Sequence, residues 1–100
     1  MTKSQSKRAA IIEQVELQEL EGVLFADGHD DAILGLVEVE AGRVVVAYSI
    51  KMILQGLINK GLTWEDASNY FEFNIRGAYC GPGTPVYVQD DYGPFFQDVA

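Results

Sequence analysis

Residues 44–61 read VVVAYSIKMILQGLINKG, a nearly unbroken apolar strand pattern that runs through one serine into an amphipathic helix pattern. A run such as VVVAY keeps no polar side for water, so it is expected inside a sheet and covered on both faces. Ser49 suits the N-cap of the helix, because its hydroxyl can accept from a first-turn amide. Ile50, Ile53, Leu54, Leu57 and Ile58 recur at helical spacing, Lys60 falls in the last turn, and Gly61 supplies a left-handed cap.

The flanking sequence predicts what covers this unit. Residues 32–40 and 43–49 are β-rich and separated by Ala41-Gly42, the pattern of a hairpin. Strict alternation puts Leu34, Leu36, Glu38 and Glu40 on one face and Ile33, Gly35, Val37 and Val39 on the other. Asp27-Gly28 marks a turn. Upstream, Ile12, Val15, Leu20 and Val23 fit a helical face over residues 9–23, a weaker N-terminal helix. Residues 1–8, MTKSQSKR, lack an apolar anchor and read as a mobile arm.

Downstream, Thr63-Trp64-Glu65-Asp66 is a capping signature that opens a second helix. Gly81-Pro82-Gly83-Thr84 fits a type II turn, with Gly83 taking the positive φ. Pro85 places residues 85–89 at the start or edge of a strand. Asp91 to Pro94 reads as a turn, and Phe95-Phe96 must dock on the domain or on another chain. The expected fold is α+β: a β-hairpin and a C-terminal strand packed with two central helices, preceded by the N-terminal helix, in a single domain over residues 9–100.

One residue on the second helix breaks its pattern. At about 100° per residue with Ala67 as zero, Phe71 lies at about 40°, Ala78 at about 20° and Asn74 at about −20°. Asn74 is thus expected at the centre of the apolar face. A buried amide without partners costs about 1–3 kcal/mol, so the fold or a ligand must satisfy it.

Charge narrows the partners. The chain carries seven basic and fifteen acidic residues for a net charge of −8, and three of the basic ones lie in the first eight positions. Such a surface repels phosphate backbones, which argues against direct nucleic-acid binding. The acidity serves solubility, or it steers the protein to a basic partner, including by mimicry of nucleic acid. No apolar run approaches the ~20 residues that span a bilayer, and residues 1–12 do not form a signal-peptide pattern. A single cysteine, Cys80, permits no disulfide within the chain and fits a reducing cytosol.

Chemistry-bearing clusters are few. The glycines of GAYCGPG follow a helix rather than open one, so they form a turn and not a phosphate cradle. Asp27, His29, Asp30 and Asp31 invite a metal, but their spacing matches neither an EF-hand nor a zinc set, and a solvated turn is the simpler reading. His29 is the only histidine, so a serine triad or an activated Cys80 would depend on it alone. A carboxylate pair such as Asp30 with Glu72 stays open. Seven aromatics lie within residues 64–92, more than one helix hides on one face. Phe73, off the apolar stripe, is expected to meet a second surface, most simply in a homo-oligomer.

Gly28-His29-Asp30-Asp31-Ala32, Val46-Ala47-Tyr48, Leu62 to Ala67, and above all EFN-x-x-GAY-x-G-x-x-TP from Glu72 to Pro85 resemble a family of small proteins encoded by tailed bacteriophages. The resemblance covers about residues 27 to 88, and the family often has a large aromatic residue where this chain has His29. It implies a setting, phage infection in the bacterial cytoplasm, and not a reaction. There the leading expectation is a non-enzymatic accessory protein, without catalytic residues, metal or cofactor, that binds a host protein or defence factor with a basic surface. Its expected binding residues are Asn74, Arg76, Tyr79, Phe73, Asp30 and Asp31. An alternative is a nucleotide-sequestering protein using Tyr79, Asn74 and Arg76. A third is a metal-dependent enzyme using Asp30 and Asp31. Asn74 itself would bond backbone groups of the GHDDA turn or the Thr84-Pro85 corner, or meet a ligand.

Overall fold

The computed structural model describes residues 3–78 and 81–89. Over these residues the fold is α+β. Helix α1 (Lys3–Leu17) leads through a short 3-10 turn (Asp30–Ala32) into strands β1 (Ile33–Glu40) and β2 (Arg43–Ser49). Helices α2 (Ile50–Asn59) and α3 (Trp64–Tyr70) follow, α3 continues as a π-helical segment (Phe71–Arg76), and β3 (Val86–Val88) closes the sheet. The sheet order is β1-β2-β3, antiparallel in the hairpin and parallel between β2 and β3. A parallel pair needs a crossover, and α2 and α3 provide it.

The central unit forms as its sequence dictates. Val45, Val46, Ala47 and Tyr48 are buried in the middle strand. Ser49 Oγ accepts from the Met52 amide at 3.1 Å. Gly61, at φ 111°, lets the Leu62 amide reach back to the Leu57 carbonyl, and Thr63 Oγ1 caps α3 from the Asp66 amide. Ile53, Leu57, Ala67, Phe71 and Ile75 then pack on Ile33, Val46 and Tyr48. Pro85 immediately precedes an edge strand, as its missing N–H requires.

Four local expectations are corrected. First, the N-terminal helix starts at Lys3, so residues 3–8 are helical, not a free arm. It ends at Leu17, not Val23. Lys7 and Arg8 tie the helix to the acidic turn, and Glu19, at φ 54°, ends it with the Leu20 amide donating to the Val15 carbonyl. Leu20 therefore lies past the helix end in a Schellman-like stop.

Second, a bulge between Ile33 and Gly35 adds one residue to β1 and reverses the parity of the faces. Leu36 now joins Ile33 against the core, while Leu34 and Val37 are exposed.

Third, the positive φ in the 81–84 turn belongs to Gly81, not Gly83, although the Thr84 amide does bond the Gly81 carbonyl. Fourth, Asn74 is exposed. In a π-helix each residue turns through less than the ~100° of an α-helix. From Phe71 onward that shortfall carries Ile75 into the buried stripe with Ala67 and Phe71 and turns Asn74 out of it. Phe95-Phe96 and the residue 91–94 turn lie outside the described residues.

Candidate functional site

The segment before the acidic turn is extended and pinned at two points. The Leu24 amide donates to the Gly83 carbonyl at 3.2 Å, and the Ala26 amide donates to the Tyr48 hydroxyl at 2.8 Å. Burial pushes the Tyr48 hydroxyl up to about 12, so it stays a neutral acceptor at physiological pH. Pinned there, residues 24–29 face the end of the π segment and the 84–87 corner across a cleft of about 430 Å³. That volume falls in the ~300–1,000 Å³ range of ligand sites. Phe25, Ile75, Pro85 and Tyr87 give it apolar walls, and Asp27, His29, Tyr70 and Asn74 add polar groups.

Behind this cleft the acidic turn is a structural clamp. Arg8 donates to Asp30 Oδ1 at 3.1 Å and to Asp27 Oδ1 at 3.2 Å, with its guanidinium 4.5 Å from the centre of the Phe25 ring. Lys7 donates to the Asp31 carbonyl. Asp30 is thereby committed to Arg8. Among the described residues no group of three or more His, Cys, Asp or Glu is placed to hold a metal ion.

The six sequence-derived residues separate. Asn74 reaches the cleft beside both the 27–29 turn and the Thr84-Pro85 corner, but among the described residues its amide makes no hydrogen bond. Phe73 is 80% exposed, in keeping with its place off the apolar stripe. Arg76 pairs with Glu72 at 3.0 Å, lies over the Phe71 ring and does not line the cleft. The Asp30 carboxylate faces α1, Asp31 meets α1 only through its backbone carbonyl, and Tyr79 lies outside the described residues. Sequence reasoning missed Tyr70, Asp27 and Phe25. Two of them carry a signal: Tyr70 stands four residues before Asn74 on the flank of the stripe, and Asp27 belongs to the acidic cluster around His29.

His29 is half-buried, and its pKa is held below the ordinary value by burial first and then by Lys60, with Asp30 opposing. The unfolded chain therefore binds this proton more readily, and stability falls as pH drops through the unfolded value of ~6.5. Denaturation midpoints of the parent protein are expected to decline from pH 7.5 to 5.5, and those of His29→Asn to decline less. Equal declines would place the titration on another group.

No helix among the described residues is long and apolar enough to cross a membrane. Compared with protein-family models, with curated proteins and with solved structures, the chain matches none.

Proposed function

We propose that the protein acts by binding and not by catalysis. In the cytoplasm of a phage-infected bacterium it engages a host protein, such as a defence factor, through the face around Tyr70, Phe73 and Asn74, and thereby antagonises it. The observation that carries this reading is Phe73, 80% exposed, beside Tyr70 at 45% and next to a largely apolar cleft. Residues three and four apart on a helix side share a surface, so one partner covers all three. Burying the Phe73 ring contributes about 1.5–3 kcal/mol. The net charge of −8 favours a partner with a basic surface and speeds encounter with it.

The nucleotide reading has less support. It needs Arg76 beside Asn74, whereas Arg76 is paired with Glu72 away from the cleft. The metal-enzyme reading needs Asp30 and Asp31 together, whereas the Asp30 carboxylate is paired with Arg8. A homo-oligomer would use the same aromatic face and is separated from the host-partner reading by mass.

The test combines affinity capture from bacterial lysate with native mass spectrometry of the eluted complexes. A defined host protein is expected, with capture reduced about tenfold or more by Phe73→Ser, as for a central aromatic anchor. Capture should also weaken steeply from low to high salt. Capture indifferent to Phe73→Ser would overturn the assignment of this face. A dimer of the chain lost in that variant would reassign the face to a second copy.

A further inference from the structure

We infer that the cleft between residues 24–29, the π segment and the 84–87 corner seats an arginine side chain of the partner protein. The inference rests on the binding reading above and specifies what the partner must present.

Charge excludes the opposite ligand. Among the described residues no lysine or arginine lines the cleft, while the Asp27 side chain, 93% exposed, stands at it. An anion would find no lysine or arginine in the lining, and a cation would find the Asp27 carboxylate, which it would share with Arg8.

The molecule already holds a guanidinium on the same segment. Arg8 lies over the Phe25 ring at 4.5 Å with a bond to Asp27 Oδ1 at 3.2 Å, and both Phe25 and Asp27 also line the cleft. The segment thus combines an aromatic face with a carboxylate, the pairing a planar cation requires.

The remaining features match arginine better than lysine. Apolar walls cover a methylene stem. Tyr70 offers a half-exposed ring for stacking, and the Asn74 amide oxygen is an acceptor without an internal partner among the described residues. A guanidinium fork can use the ring, the carboxylate and the amide together, whereas a lysine ammonium has no planar face to stack. The Asn74 amide, exposed at the cleft, is then open to recognition and takes no part in the core.

The test is an NMR titration of the isotope-labelled full chain with a capped peptide bearing one arginine between leucines, against the same peptide with neutral citrulline. The arginine peptide is expected to shift the signals of Asp27, Tyr70 and Asn74. It should bind about tenfold more tightly than the citrulline peptide, the ratio set by one charge-assisted contact. Asn74→Ala and Tyr70→Ala should each weaken it roughly threefold or more. Arg8→Met, which releases Asp27 from its internal partner, should tighten it provided the variant melts as a folded protein. Equal binding of the two peptides, or shifts spread over the acidic surface at large, would overturn the inference. If Phe73-dependent capture of a host protein persists while the peptides bind alike, the arginine seat falls and the binding reading stands. If the arginine peptide fills the cleft but no host protein is captured, the seat stands and the host-antagonist reading falls.

Discussion

Replacing Phe71 by alanine is expected to destabilise the domain by about 3–5 kcal/mol, the usual cost of emptying a buried aromatic site. That is a large share of the ~5–15 kcal/mol that holds a domain of this kind together. Phe71 is 2% exposed and opens the π segment. Its ring meets Tyr87 edge-on at 5.5 Å, and Tyr87 in turn packs 5.8 Å from Tyr48, whose hydroxyl anchors the Ala26 amide. Removing the ring leaves a cavity between helix and sheet and loosens the aromatic chain that supports both walls of the cleft. Phe73→Ala, two residues away, is expected to stay within about 0.5 kcal/mol, because its ring is already in solvent. Urea denaturation of the two variants reads the contrast directly. A loss below about 1 kcal/mol for Phe71→Ala would mean that the end of the helix is not seated on the sheet.

The parts of this fold that can be read from sequence are those with local causes. The β2–α2 unit is legible because an apolar strand, a serine cap, a helical stripe and a terminal glycine all point to one structure. Three other features are not local. The docking of α1 depends on Arg8 finding Asp27 and Asp30 about twenty residues away, with little apolar periodicity to announce it. The β1 faces depend on two register irregularities, between Ile33 and Gly35 and between Glu38 and Glu40, which change parity without changing composition. The helix after Trp64 changes its turn angle at Phe71, and no residue type there marks the change.

This last departure is also what builds the site. Regular α-helical geometry would bury Asn74 and place Ile75 at the flank. The π segment exchanges them, spending its apolar residue on the core and presenting the amide at the cleft. π segments often occur where a helix serves function, because the regular turn would aim the side chains elsewhere. Asn74, which violates the apolar pattern, therefore stands exposed at the cleft and not in the core.

Gly83→Ala is expected to cost about 3 kcal/mol, the upper end of overpacking penalties, for a steric reason and not a torsional one. Gly83 does not need a positive φ. A Cβ built on it falls on the carbonyl oxygen of Gly22 and lies 2.8 Å from the Gly22 carbonyl carbon. Both obstacles are backbone, so no rotamer change relieves them, and the 22–26 segment must move away from the corner. That movement breaks the bond from the Leu24 amide to the Gly83 carbonyl and shifts the Phe25 wall of the cleft. Gly81 offers the contrast: its φ is +107°, but a Cβ there meets nothing within 4 Å. Gly81→Ala should therefore cost only the left-handed torsional penalty of about 1–2 kcal/mol. Denaturation midpoints should rank Gly83→Ala below Gly81→Ala, and the arginine-peptide titration should be weakened more by Gly83→Ala. The reverse order in stability would show that residues 22–24 are not held against the 82–83 turn, and the cleft would lose the wall on which its shape depends.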